Sequence, residues 1–209
     1  MGVRQTGSVA ESVRRWVDRL SDRAFFDSGD VPGPSRAVES ALSRLAAEGE
    51  IVRVRRGTYW KPPPARFGRR ARPVPLEAGL HVGGRGAGPA GVSAARVFGL
   101  TTQVPAIERV GVPGRAPEPM PGVRFSSRPY SRREHDLNPY EVALLEVLRA
   151  FDEVAERSWD ELVAVVGDAV REGRIRPERV AAAVEEEHDR SARQRWNRLA
   201  EALPALVSV

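Results

Sequence analysis

Pro62 to Pro75 reads "PPPARFGRRARPVP", with five prolines and four arginines in 14 positions. Proline lacks the amide hydrogen that helices and sheet ladders need, and no apolar periodicity runs through the stretch. It cannot be the interior of a packed element, so it is read as a linker or as an extended arm laid along phosphates. A typical domain holds about 100–150 residues, which leaves a chain of 209 room for one large domain or two small ones. The proline stretch decides for two: residues 1–61, a basic segment over 62–75, and residues 76–209.

Charge follows the same division. Residues 1–75 carry 15 Lys+Arg against 8 Asp+Glu, a net +7, whereas residues 76–209 carry 18 against 20, a net −2. Ile51 to Pro75 alone holds eight basic side chains and no acidic one, a local patch of the kind that phosphate backbones attract. Absences exclude much chemistry. There is no cysteine, hence no disulfide frame, thiol nucleophile or thiolate zinc site. Lys61 is the only lysine, which excludes a P-loop and any catalytic lysine elsewhere. No apolar run approaches the roughly 20 residues of a membrane span, and "MGVRQTGSVAESVRRW" has no signal-peptide core, so a cytoplasmic protein without membrane partners is expected.

In the first domain, "SVAESVRRWVDRLSD" is an amphipathic helix with Ser8 as its cap and Val9, Val13, Trp16, Val17 and Leu20 at helical spacing. "RAFFDSGDVPGP" predicts a brief extended piece and a short helix or turn. "PSRAVESALSRLAAEGE" is a second helix over 35–48, with Ser35 as its cap, Val38, Ala41, Leu42 and Leu45 as its buried stripe and Gly49 as its left-handed stop. Its opposite face carries Arg36, Ser40, Ser43 and Ala47, flanked by Glu39 and Arg44. Small polar groups and cations let a helix approach base edges in a major groove, although the same profile also suits a solvated face.

"IVRVRRGTYWK" then alternates Val52 and Val54 with Arg53 and Arg55 and turns at Arg56-Gly57 into Thr58–Lys61. The valines are expected to face the helices and the arginines to face outward. Helix, short element, helix and basic hairpin, in that order, predict a winged helix-turn-helix. The candidate DNA-binding residues are Ser35, Arg36, Ser40, Ser43 and Arg44 on the helix, Arg53, Arg55, Arg56 and Lys61 on the hairpin, and Arg66, Arg69 and Arg70 on the arm. A purely protective role for arginines at a sheet edge is the simpler alternative.

The second domain is predicted to be α+β with a helical C-terminal part. Ser93 to Phe98 is a short helix ended by Gly99, "AIERVGVP" and "GVRFSSRP" are strands, and four helical segments follow from Asn138, one of them opened by a Ser158/Glu161 capping box. "LHV" is barely a strand. Gly86 to Gly91 fits a dinucleotide-binding glycine pattern, but Pro89 removes an amide donor and the βαβ repeat is missing, so a flexible turn is expected. Glu185 and His188 have the spacing of a metal pair without the second motif such sites need, and His135-Asp136 has no nucleophile beside it. His81 reads as a packed or surface residue. No cofactor, metal or catalytic site is expected.

Three strings carry a family resemblance. "AVESALSRLAAEGEIVRVRRGTYWKP" resembles the N-terminal winged-helix domain of the AbiEi-type antitoxins, "GVSAARVFGLTTQVP" is similar to the segment opening their second domain, and "LNPYEVALLEVLR" to the helical stretch that follows. The resemblance covers roughly residues 8–155. It implies a bacterial type IV toxin–antitoxin system in which the protein is not an enzyme but binds double-stranded DNA repeats in its own promoter, represses the operon and neutralises a cognate nucleotidyltransferase-fold toxin. It also implies DNA-reading roles for Arg36, Ser40, Ser43 and Arg44 and phosphate contacts for Arg53, Arg55, Arg56 and Lys61. The Gly/Pro-rich stretch around Gly83 to Gly91 departs from the family and places no toxin-contact surface. Two other readings stand beside this one: an interaction module that inhibits the toxin directly, with DNA binding secondary, and a winged-helix protein with a nuclease domain. The second domain's lack of lysine weighs against the nuclease. Repeated operators suit a homodimer or two monomers.

Overall fold

In the computed structural model, which describes residues 8–64 and 71–203, the chain divides between Val74 and Pro75 into two units. Each combines helices with a small sheet, and the fold class is α+β.

The first unit begins with α1, Val9–Asp18. Ser8 accepts from the Glu11 amide and the Glu11 carboxylate accepts from the Ser8 amide at 3.0 Å, which satisfies two amides that the first turn leaves free. After β1, Phe25–Asp27, and one turn of 3-10 helix, α2 runs over Ser35–Glu48. Ser35 does not cap it. Pro34 occupies the cap position without a side-chain hydrogen bond, and its carbonyl accepts from Ala37 and Val38. Pro32 and Pro34 fix the entering backbone, so the helix is set one residue before the serine. The left-handed residue Gly49 (φ 75°) ends it as expected.

β2, Val52–Arg55, and β3, Thr58–Trp60, complete an antiparallel sheet in the order β1-β3-β2. The hairpin turns at Arg56-Gly57, where φ is +80° at Gly57 and a side chain would be strained. Val52 and Val54 are half-buried while Arg53 and Arg55 are exposed, the alternation read from the sequence. β3 is the central strand, so all three of its residues are buried. Val13, Val17, Phe26, Val38, Leu42, Leu45, Ile51 and Tyr59 form one core, with Phe26 stacked on Tyr59 at 5.7 Å. Burying such a side chain contributes roughly 1.5–3 kcal/mol, and this core is what aims the hairpin.

The second unit opens with a helix that the sequence reading missed: α3, Pro75–Gly83. Gly79 and Gly83 weaken its local signal, but they let it lie directly on the sheet; a Cβ at Gly79 would sit 2.8 Å from Val123. Gly86 to Gly91 is not a flexible turn either. It holds β4, Gly88–Pro89, which pairs with β5, and Gly86 to Ala90 are buried, with no room at Gly88 for a Cβ beside Val142. α4, Val92–Val97, follows, then β5, Glu108–Pro113, and β6, Val123–Arg128. The sheet order is β4-β5-β6, antiparallel in the first pair and parallel in the second.

The helical part comprises α5, Ser131–Glu134; α6, Pro139–Val154; α7, Trp159–Arg171; α8, Pro177–Glu185; and α9, Arg190–Ala202. α6 is the central helix: every residue from Glu141 to Leu148 is buried, against α4 on one side and α7, α8 and α9 on others. Ser158 and Glu161 form the predicted capping box of α7. Among the described residues no helix is long and apolar enough to cross a membrane.

Glu156 ties the "GLTTQVP" string to this helical part. Its carboxylate accepts from the Thr102 amide at 2.8 Å and from the Gln103 side chain at 2.9 Å, and the Thr102 amide leads the causes that lower its pKa to about 2. A carboxyl whose folded pKa is depressed stabilises the fold above its unfolded value, and that contribution is lost as pH falls through the folded one. The melting temperature is therefore expected to fall between about pH 4.5 and pH 2 more in the native protein than in Glu156→Gln. Parallel melting curves for the two proteins over that range would show that the loop is held in another way.

Candidate functional site

The outward face of α2 carries Arg36, Ser40, Ser43 and Arg44, all exposed, and Ser35 lies exposed at its first position. Ser40 donates its hydroxyl to the Arg36 carbonyl at 2.9 Å, which leaves its oxygen lone pairs outward as acceptors, and Arg44 lies along the helix with Nε 3.5 Å from the Ser40 carbonyl. Arg36 and Arg44 have no ion pair among the described residues. The last turn is different: Glu48 and Glu50 are both held by Arg14 of α1, at 2.6 and 2.7 Å. That leaves less free negative charge at one end of the helix.

Arg53, Arg55 and Arg56 are likewise exposed, with no ion pair among the described residues. Three unneutralised guanidinium groups around one tight turn form a concentrated positive tip that can take phosphate oxygens in bidentate fashion. Arg72 of the arm is exposed too, while Arg66, Arg69 and Arg70 lie outside the described residues.

Lys61 does not belong to this set. Its Nζ donates to the carbonyls of Asp18 at 2.8 Å and Leu20 at 2.7 Å, at the C-terminus of α1, while its backbone exchanges hydrogen bonds with Arg23 and Ala24. The carbonyls at a helix end carry partial negative charge and lack helical partners, and a compact ammonium with three donors serves two of them at once. The chain's one lysine is a strut between hairpin and helix rather than a phosphate contact. Lys61→Met, which keeps the stem and removes the charge, is expected to cost the first unit about 2 kcal/mol in urea unfolding. An unchanged midpoint would mean that the two carbonyls are served equally well by water.

In the second unit two of the residues weighed as catalytic candidates, His135 and Asp136, have partners within the fold. Asp136, in a left-handed conformation (φ 54°), binds Arg85 and Arg179, each at 2.7 Å, and these hydrogen bonds hold its carboxyl below the ordinary range. His135 pairs with Glu186 at 2.9 Å. Glu185 and His188 join no metal-binding group; among the described residues no cluster of three or more His, Asp or Glu could hold an ion. His81 is half-buried in α3.

A buried ion-pair chain has no counterpart in the sequence reading. Arg128 reaches both oxygens of Glu146, at 2.5 and 2.7 Å; Arg132 links Glu146, at 2.6 Å, to Glu187, at 2.7 Å. Arg132 is 0 % exposed, Glu146 2 % and Glu187 1 %. Burial alone pushes the Glu146 carboxyl up, but the hydrogen bonds and charges of Arg128 and Arg132 outweigh it and hold the group low. Its partners lie 14 to 55 positions apart in the chain, so no local pattern reveals it.

No family model matches the chain, and no curated protein does. Among solved structures, the crystal structure of the Rv2827c protein from Mycobacterium tuberculosis is similar over 95 % of this chain and 78 % of that one, with 18 % sequence identity and a TM-score of 0.49. At that score the likeness carries no inference about sites or activity.

Proposed function

We propose that the first unit is a winged helix-turn-helix that binds double-stranded DNA, and that the chain is a non-enzymatic, AbiEi-like antitoxin that represses its own toxin–antitoxin operon. The observation that carries the DNA-binding reading is the tip of Arg53, Arg55 and Arg56. It directly follows a helix whose outward face is largely arginine and serine, and these cations have no carboxylate partners among the described residues. In this reading α2 lies in the major groove while the hairpin and the 62–75 arm neutralise phosphates. The amides at the start of α2, unclaimed by a capping side chain, favour a phosphate there as well.

The antitoxin role rests on the resemblance of the strings at 37–62, 91–105 and 137–149. The test has two parts. Gel shifts with the promoter of the chain's own operon, set against scrambled DNA, address binding, and co-expression with the adjacent gene's product addresses neutralisation. No preference for the promoter overturns the repressor reading; toxicity undiminished by the full chain overturns the antitoxin reading.

One observation favours direct contact with a protein partner as a second reading. Val104 and Ile107 are 77 % and 40 % exposed, and they lie in the loop that Glu156 fixes. Apolar side chains presented by a preorganised loop are suited to a protein interface. A pull-down of the toxin by the full chain, abolished in Val104→Asp, distinguishes this reading from neutralisation without contact.

A further inference from the structure

An open groove of about 710 Å³ lies within the second unit. One wall, at the end of β6 and the start of α5, carries Arg128, Tyr130 and Ser131; the other, at the joint of α8 and α9, carries Glu187 and Arg193, with Arg149 of α6 beside them. Most charges around it are committed: Arg128 to Glu146, Glu186 to His135, and Arg149 within 3.4 Å of Asp189. Arg193 is exposed and has no ion pair among the described residues.

Two groups in the groove are incomplete. Ser131 and Glu187 are each 1 % exposed, yet Ser131 Oγ and Glu187 Oε2 make no hydrogen bond among the described residues. Arg132 holds the other oxygen of this carboxylate, with Nε and Nη2 each 2.7 Å from Oε1, while Arg149 Nη1 stands 3.7 Å from Oε2, beyond hydrogen-bond reach. A buried carboxylate oxygen without a donor is costly, and its natural complement is an N–H group. Tyr130, by contrast, is 58 % exposed, with its ring backed on one side by the glycine backbone at Gly114, where a Cβ would lie 2.5 Å from Cζ.

We propose that this groove binds a nucleoside phosphate, with the base stacked on Tyr130, its exocyclic amine donating toward Glu187, and the phosphate held by Arg193 and the outer edge of Arg149. A simple anion would leave the Glu187 oxygen unmet, and a simple amine would leave Arg193 unused. A ligand with a donor-bearing planar end and an anionic end uses both, and the volume lies in the range of roughly 300–1,000 Å³ common for small-ligand sites. The proposal goes beyond duplex binding: the groove lies in the other unit and needs an unpaired base, free or in a single strand.

Isothermal titration of the full-length protein with CTP, ATP, UTP and a short oligo-dC tests it. CTP and ATP are expected to bind saturably, and UTP, which has no exocyclic amine, at least about 5-fold more weakly. Tyr130→Ala, at an exposed position, should weaken CTP binding by at least about 5-fold, and Arg193→Glu should weaken it as well. Tighter binding of oligo-dC than of CTP, abolished in the same variants, would assign the groove to a strand rather than a free nucleotide. Arg55→Ala should leave the CTP, ATP and UTP titrations unchanged, so failure of the duplex reading and failure of this one are separable. Absence of saturable binding into the millimolar range, equal affinity for UTP and CTP, or an unaltered Kd in Tyr130→Ala overturns the proposal.

Discussion

Glu146→Ala is expected to destabilise the second unit by about 3–5 kcal/mol, because it leaves the buried guanidinium of Arg132 and the half-buried one of Arg128 without their shared carboxylate. Total stability of a domain is only about 5–15 kcal/mol, so this one substitution takes a large share of it. Thermal unfolding should move down by on the order of 10 °C. The cost lies in stranding charges rather than in losing a net attraction. Replacing Arg128, Arg132, Glu146 and Glu187 together by methionine or leucine should therefore cost less than Glu146→Ala alone, as desolvation of the linked set, Glu187 included, is then avoided. A quadruple variant no more stable than the single one would show instead that the pairs supply net stability. Either result bears on function, because the chain joins β6, α5 and α6 to the start of α9 and so fixes both walls of the groove.

Replacing Arg53, Arg55 and Arg56 together by alanine is expected to weaken duplex binding to all sequences about equally. It should also reduce the slope of log K against log salt by about 3, near one for each phosphate that an arginine no longer neutralises. The folded first unit should be little affected, since all three side chains are exposed and unpaired among the described residues. Arg36→Ala, on the helix, should behave differently: a drop of roughly 1–3 kcal/mol confined to preferred base pairs, with other sequences bound almost as before. Gel shifts across a salt series separate the two patterns. An unchanged salt slope in the triple variant would remove the hairpin from the interface. Loss of discrimination in that variant, rather than of overall affinity, would assign base reading to the hairpin instead of α2.

The hairpin and α2 were legible because their signals are local. Alternation of Val52 and Val54 with Arg53 and Arg55 has the period of a strand, Gly57 marks the turn, and Gly49 marks the end of the helix. The misreadings share a cause of the opposite kind. Ser35 has the chemistry of a cap, but Pro32 and Pro34 fix the backbone before it and take the position away. Gly79 and Gly83 look like helix breakers in "LEAGLHVGG", yet α3 needs them because Val110, Val112 and Val123 of the sheet come too close for a side chain. Lys61 reads as one more cation in a basic run, and its true partners are carbonyls 41 and 43 positions earlier.

By itself the sequence determined the division at the proline-rich stretch, the concentration of positive charge before it, and the order of helices and strands whose periodicity is set by residues within a few positions of one another. Only the tertiary structure decided which arginines are free and which are spent. A guanidinium is neutralised by whichever carboxylate the fold brings within about 3 Å, and a charge such as Arg132 or Lys61 finds its partner across tens of residues, where sequence spacing carries no information about distance.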